Sequence, residues 1–216
     1  MYKGKARAHT NIALIKYWGK ADEKIILPKN NSLSLTLDAF YTETSVCFDE
    51  SFTADCFTLD GVLQDAKATQ KVSKFLDLFR QKANCDYFAK VESVNHVPTA
   101  AGLASSASGL CALAGACNQA LGLGLSQIEL SKMARKGSGS ACRSVYGGFV
   151  EWEKGYDDDS SYAVSVDSAG FEEELAMIFI VVNQKQKKVS SRDGMKSTVE
   201  TSSFYPVWLQ EAPKDL

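Results

Sequence analysis

Residues 98–109, PTAAGLASSASG, carry no charge and no aromatic ring, and they run directly into the apolar segment LCALAGACNQAL. Leu110, Leu113 or Ala114, Cys117 and Leu121 mark one face of a helix there. Alanines and Gly115 over the remainder let that helix lie close against a neighbour. Such a helix is buried, so the chain is committed to a layered fold that covers it. The small-residue stretch ahead of it has two readings. It can be a flexible connector. It can also be an anion cradle, because backbone N–H groups at a small-residue turn into a helix converge on negative charge, and larger side chains would block the approach.

The flanking sequence supplies the other layer. Residues 5–15, KARAHTNIALI, read as a strand, and SLSLTL at 32–37 alternates polar and apolar with period two. YTETSVCF at 41–48 and CFTLDGVL at 56–63 read as further strands, with Asp60-Gly61 as a turn signal. Val72, Phe75, Leu76 and Phe79 recur at helical spacing, and DYFAKVESV returns to strand. Ser126 and Glu129 fit a capping box opening a short helix that Gly137 closes. GGFVEWEKG and ELAMIFIVV are expected as strands, the second central because it is apolar throughout, with DDDSS between them as a solvated turn. Strands mixed with helices, without regular β-α-β alternation, give an α+β class. The last residues, 193–216, read as partly helical, with Phe204, Tyr205, Trp208 and Leu209 requiring a surface to cover.

The formal charge of −2 over 216 residues leaves no face-wide basic excess, which excludes general nucleic-acid binding. Any polyanion must be held by a small local site. The N-terminal residues have no signal-peptide core, and the longest apolar run, 175–182, is too short to span a bilayer, so no membrane association and a cytoplasmic setting are expected. Six cysteines without C-x-x-C pairing signal neither zinc nor a redox motif, and reduced thiols are expected. There is no G-x-x-x-x-G-K-[ST] loop and no G-x-S-x-G elbow. His9 and His96, the two histidines, read as strand or loop residues making local hydrogen bonds.

Four clusters carry candidate chemistry. They are the loop at 98–109; IKYWGK, where Lys16 and Lys20 bracket an aromatic pair and a glycine; GSGSACRS at 137–144, with hydroxyls and the Arg143 guanidinium; and KKVSSRDGM at 187–195. Each alone has a plain structural reading, as a connector, a solvated surface, a helix end and a charged turn. Together they describe small-residue anion cradles with several cations in a slightly acidic protein, which fits nucleotide-dependent phosphoryl transfer to a substrate that is itself phosphorylated.

PTAAGLASSASG resembles the P-x-x-x-G-L-x-S-S-A phosphate loop of the GHMP kinase superfamily. NIALIKYWGK, GSGSACRS and SSRDGM, in that order, resemble the mevalonate diphosphate decarboxylases of bacterial type, KYWGK being the discriminating piece. The resemblance implies a left-handed β-α-β fold of the ribosomal protein S5 domain 2 type over residues 1–184, with 185–216 opening a C-terminal domain that is largely absent. It implies ATP- and Mg²⁺-dependent conversion of mevalonate 5-diphosphate to isopentenyl diphosphate, and a homodimer at full length.

Carried over by position, Lys16 and Arg143 would act at the reacting centre, Lys16 near the hydroxyl and phosphates and Arg143 on the substrate carboxylate. Tyr17, Trp18, Gly19, Lys20, Ser138, Gly139, Ser140, Ala141, Cys142, Ser191 and Arg192 would hold the substrate. Ser93, Asn95, Ala101, Gly102, Leu103, Ala104, Ser105 and Ser106 would meet the nucleotide, with Ser105 or Ser106 offering a hydroxyl to the metal. The family's catalytic aspartate lies in an M-D-A-G-P-N-like stretch that these 216 residues do not contain. Asp193 is no substitute, since its place belongs to a substrate-pocket turn. The chain is therefore read as an N-terminal portion that keeps most ligand contacts and loses a group worth about two to four powers of ten in rate. Two other readings stay open: a small-molecule kinase of the same superfamily that stops before decarboxylation, and a non-catalytic nucleotide-binding module.

Overall fold

A computed structural model describes residues 1–97, 105–180 and 189–216. The elements are β1 (Tyr2–Ile15), β2 (Lys20–Asp22), β3 (Leu27–Pro28), β4 (Ser32–Asp49), β5 (Cys56–Leu59), β6 (Val62–Leu63), α1 (Ala66–Ala83), β7 (Phe88–His96), α2 (Ser105–Ala120) and α3 (Gln127–Gly137). A 3₁₀ helix, Gly139–Val145, follows, then β8 (Phe149–Glu153), β9 (Tyr162–Ser165), a short 3₁₀ helix (Phe171–Glu174), α4 (Ser191–Thr201) and α5 (Tyr205–Glu211). Seven strands form one mixed sheet in the order β6-β5-β7-β4-β8-β9, with β1 also paired to β4; β5 runs parallel to β7, and the other pairs are antiparallel.

The segments 32–37 and 41–48, expected as two strands, are one. No glycine, proline or asparagine separates them, so the chain stays extended and a pairing irregularity absorbs the change of direction. His9 pairs with Tyr41 and Asn11 with Thr36, so residues 37–40 of β4 lie opposite Thr10. Such a bulge re-aims side chains. Here Thr10 and Asn11 are both buried, where strict alternation would send one of them to solvent. β4 in turn serves β8 through Ser32–Leu35 and β7 through Tyr41–Asp49.

The main core lies between the sheet and the helices. Val46, Phe48, Ala89 and Val91 from the sheet meet Val72, Phe75, Leu76 and Phe79 of α1, the small face of α2, and Met133 and Ala134 of α3. The expected close approach of α2 is real. A methyl on Gly115 would sit 2.8 Å from the Ala6 Cβ, and one on Gly4 of β1 would sit 2.1 Å from the Ala116 carbonyl oxygen. Gly137 ends α3, but not by a left-handed cap, since Ser138 after it is extended. A side chain there would strike the Phe75 ring at 2.8 Å, so glycine is selected by packing. The Ser126 capping box and the hairpin turn at Asp60 and Gly61, both at positive φ, stand as expected.

Two further expectations fail. ELAMIFIVV is no central strand over its described part, because continuous hydrophobicity specifies burial and not a partner. Residues 175–180 join no strand ladder among the described residues, although the Phe179 ring lies 5.7 Å from that of Phe40 in β4, and Ile178 and Ile180 are exposed. The DDDSS turn is a turn as expected, with Asp157 and Asp159 exposed, and it carries an ion pair besides: Asp158 meets Arg135, whose side chain is fully buried, and Lys136 at 2.6 Å. SSRDGM opens α4, where sequence suggested a turn; Ser190 caps it, its hydroxyl accepting the Asp193 N–H at 3.1 Å. No helix among the described residues is long and apolar enough to cross a membrane.

Candidate active site

Where β1 ends, its bulge, the loop at 16–20, the N-terminal turn of α2, the 3₁₀ helix at 139–145 and α4 enclose a cavity of ≈ 320 Å³. Lys16, Lys20, Arg143 and Arg192 line it, and no lining residue is acidic among the described residues. A protein of net charge −2 has thus concentrated cations in one concave place.

Arg143 defines the floor. It is 2% exposed, yet its partners are neutral: Nε donates to Ser34 Oγ at 3.0 Å, Nη1 to Ser32 Oγ at 2.7 Å and Nη2 to Asn11 Oδ1 at 3.2 Å. Burial pulls its pKa below the usual arginine value, and no carboxylate among the described residues pairs with it. A guanidinium in such a place keeps its charge, since arginine does not deprotonate in proteins. The charge has no counter-ion among the described residues, and its burial is costly. Asn11 is held in turn by donating to the Ser140 carbonyl at 3.0 Å and to Ser144 Oγ at 2.8 Å.

The 16–20 loop forms one wall. Asn30, 2% exposed, clamps it by donating to the Lys16 carbonyl at 2.8 Å and accepting the Trp18 N–H at 3.3 Å. Tyr17 packs its ring 4.7 Å from that of Trp152 and has a buried hydroxyl without a hydrogen-bond partner among the described residues. Burial raises the pKa of that hydroxyl, so it stays protonated and available as a donor. The Lys20 side chain is 8% exposed and ion-paired to the exposed Glu23. Ser138, Gly139 and Ser140 complete the lining, with Ser191, Arg192 and Met195 of α4 and Ser106 of α2. A methyl on Gly139 would meet both Trp152, at 2.8 Å, and Tyr17, at 3.0 Å, so this wall is also closed by a glycine.

The architecture, cation set and loop signature can be set against known proteins. Residues 8–163 match the diphosphomevalonate decarboxylase-like N-terminal domain, and residues 177–214 match the mevalonate 5-diphosphate decarboxylase C-terminal domain. The chain belongs to the diphosphomevalonate decarboxylase family. The diphosphomevalonate decarboxylase of Danio rerio is 45% identical over 209 residues, covering 90% of this chain and 52% of the relative. A solved structure, MDDEF in complex with MVAPP, AMPPCP and magnesium, superposes with a TM-score of 0.95 at 65% identity, covering 99% of this chain and 65% of the other. The mevalonate diphosphate decarboxylase from Enterococcus faecalis, solved in a study of mevalonate diphosphate mediated ATP binding, gives 0.94 at 64%, with the same coverage. The chain spans about half the length of the curated relatives it matches. The mixed α+β sheet is that of this family, the GHMP kinase fold.

In this decarboxylase-family chain the cavity brings together Lys16, Tyr17, Trp18, Lys20, Ser106, Ser138, Gly139, Ser140, Arg143, Ser191 and Arg192 of the expected residues. Gly19 is buried beside it, lining an adjoining cavity of ≈ 400 Å³. Ala141 and Cys142 do not line the site. Successive residues of a 3₁₀ helix cannot all face one side, and these two turn into the core, Cys142 against Val150, Trp152 and Ala163. Ser93 and Asn95 lie apart from the cavity on β7, where Ser93 Oγ meets Thr44 Oγ1 at 2.8 Å and Asn95 Oδ1 accepts from Thr42 Oγ1 at 2.9 Å. Ala101, Gly102, Leu103, Ala104 and the Ser105 side chain lie outside the described residues. His9 makes the expected local bond, Nδ1 to the Leu37 carbonyl at 3.1 Å. All six cysteines are free, and Cys111, Cys117 and Cys142 are buried.

Sequence reading missed Asn11, Asn30, Ser32 and Ser34. For the serines the signal was present and inverted: in SLSLTL the polar positions, not the apolar ones alone, face inward, and both serines are fully buried. Period two reports alternation but not which face meets the core.

Proposed function

We propose that this chain binds mevalonate 5-diphosphate and ATP as part of an ATP-dependent decarboxylase that makes isopentenyl diphosphate. The observation that carries this is the buried Arg143 guanidinium, held by neutral partners in a cavity lined by three further cations and no acid. A diphosphate and a carboxylate on one small molecule match that charge. The solved relative in complex with MVAPP and AMPPCP supports both ligands.

In this reading Arg143 takes the carboxylate through its planar fork. Tyr17 and Lys20 hold the diphosphate, together with Ser138, Gly139, Ser140, Ser191 and Arg192. Lys16 lies toward the tertiary hydroxyl and the incoming phosphoryl group. The chemistry follows from leaving-group ability. Hydroxide departs poorly, so the hydroxyl is phosphorylated first; as phosphate leaves, the positive charge developing at that carbon draws the electron pair of the bond to the carboxylate. Arg143 holds the carboxylate in the orientation that this bond cleavage needs. The 98–106 segment is the proposed nucleotide cradle, with Ser93 and Asn95 on the strand that leads to it.

No group of three or more His, Cys, Asp or Glu among the described residues could hold a metal ion. The fit is therefore for Mg²⁺ carried on the nucleotide's own phosphates, with Ser105 or Ser106 as the protein hydroxyl; its contribution when bound is charge neutralisation. Residues 1–184 would form the nucleotide- and substrate-binding domain and 185–216 the start of the second, in a cytoplasmic homodimer at full length.

The test is a coupled ADP-release assay with carbon dioxide trapped in parallel. It is run on this 216-residue chain and on a version continued through the length of its relatives. Calorimetry should detect mevalonate 5-diphosphate binding in both, with carbon dioxide released by the longer one. Carbon dioxide from the short chain would mean that a carboxylate within these residues does the acid-base work. ADP without carbon dioxide from the longer chain would make the protein a kinase.

A further inference from the structure

Tyr205 is the one residue of α5 that reaches the 16–20 loop by a hydrogen bond among the described residues: its hydroxyl donates to the Trp18 carbonyl at 2.8 Å across a separation of 187 positions. The ring is 6% exposed, stacks 5.7 Å from Trp208, and has the Lys29 ammonium 5.8 Å from its centre. The loop is shaped to receive it. Gly19 sits at φ +96°, and a methyl there would lie 2.1 Å from the Tyr205 oxygen and 3.2 Å from Val199 of α4. The Gly19 carbonyl is occupied by the Lys29 N–H at 3.1 Å, so the backbone of the loop is pinned on both sides of the Trp18–Gly19 peptide.

Two consequences follow from that geometry. Without the Tyr205 hydroxyl the Trp18 carbonyl has no hydrogen bond among the described residues, and the loop carrying Lys16, Tyr17 and Lys20 keeps the Asn30 side chain and the Lys29 N–H as anchors. The same contact fixes α5 against the loop, and Val199 of α4 approaches Gly19 beside it, so the joint bears on how Tyr17 and Lys20 sit relative to Ser191 and Arg192 in the cavity. We infer that Tyr205 is a positioning residue for the diphosphate half of the site, coupling the segment that matches the C-terminal domain to the substrate loop of the N-terminal one. Arg143 and its serines lie on different elements and take no part in this joint. The inference rests on the proposed diphosphate role of this cavity.

The experiment is calorimetric titration of the 216-residue chain and its Tyr205→Phe variant with mevalonate 5-diphosphate and, separately, with ATP. Loss of the single hydrogen bond should weaken mevalonate 5-diphosphate binding about tenfold and leave ATP binding unchanged. Equal affinity for mevalonate 5-diphosphate in both chains overturns the inference alone. Parallel loss of both ligands makes Tyr205 a structural residue only and overturns it too. Failure of the unaltered chain to bind mevalonate 5-diphosphate overturns the functional reading and this inference with it. A thermal cycle with Gly19→Ala adds a check that needs no ligand. The methyl should cost less in the Tyr205→Phe background than in the wild type, and strict additivity would refute the joint.

Discussion

Replacing Arg143 by methionine separates binding from folding. In the fold, two large effects oppose each other. The guanidinium makes three hydrogen bonds at 2.7–3.2 Å to Ser32, Ser34 and Asn11, and a bond to a charged donor contributes roughly 1.5–3 kcal/mol. Against that stands the desolvation of a charge that is 2% exposed and has no counter-ion, which costs several kcal/mol. Methionine removes both, and the serine hydroxyls can rotate toward other acceptors, as Ser34 already does toward the Val150 carbonyl at 3.5 Å. Apo stability should therefore move by less than about 2 kcal/mol, or under about 8 °C in Tm for a chain this size. Binding has no such offset. Two charge-assisted bonds to a carboxylate are together worth about 3–6 kcal/mol, so affinity for mevalonate 5-diphosphate should fall by roughly 10²–10⁴. Isopentenyl diphosphate, which lacks the carboxylate, should bind both chains alike. Calorimetry with the two ligands, beside thermal unfolding of both apo chains, reads each term. A variant that loses more than about 3 kcal/mol of apo stability yet binds mevalonate 5-diphosphate normally would show that Arg143 is a structural group, and the electrostatic reasoning would fall.

Other outcomes test the scaffold. Gly4→Ala places a methyl 2.1 Å from the Ala116 carbonyl and 2.6 Å from the Ala120 nitrogen, both backbone, so α2 must shift; urea unfolding should show a loss of roughly 1–3 kcal/mol. Asp158→Asn leaves the fully buried Arg135 side chain without a counter-charge. Because Asp158 is 41% exposed, the loss should be about 2 kcal/mol, below that for a wholly buried pair, and an Arg135→Met/Asp158→Asn double variant should recover most of it. Burial raises the thiol pKa of Cys111 and Cys117 and pushes that of Cys142 up to about 12, from 9.0. A raised folded pKa gives stability that is complete below the unfolded value, so unfolding free energy should decline as pH climbs from 9.0 toward about 12, less steeply in Cys142→Ala. In the native state a thiol reagent should modify Cys47, Cys56 and Cys85 and spare the other three; fast labelling of all six would contradict the burial.

How much of this was legible depended on whether the cause was local. The helix spacing of Val72 to Phe79, the Ser126–Glu129 capping box and the Asp60-Gly61 turn act over a few residues, and each is where the sequence put it. The motifs at 16–20, 138–143 and 191–192 named most of the cavity, because small residues and cations clustered along the chain also cluster in space. ELAMIFIVV misled because a strand is defined by its neighbour. Ala141 and Cys142 misled because a contiguous motif was assigned to one face of a helix that turns away from it.

By itself, the sequence determined the buried small-residue helix, the α+β class, the family and the residue types that meet an anion, since composition and short spacing carry that information. Only the tertiary structure decided that Arg143 would be held by Ser32, Ser34 and Asn11, with no carboxylate in reach, or that Tyr205 would close on Trp18. The reason is distance along the chain. Those partners lie more than a hundred positions apart, the β1 bulge and the pairing of β4 presenting Asn11, Ser32 and Ser34 to Arg143, and no periodicity within a segment encodes what a different segment will place against it.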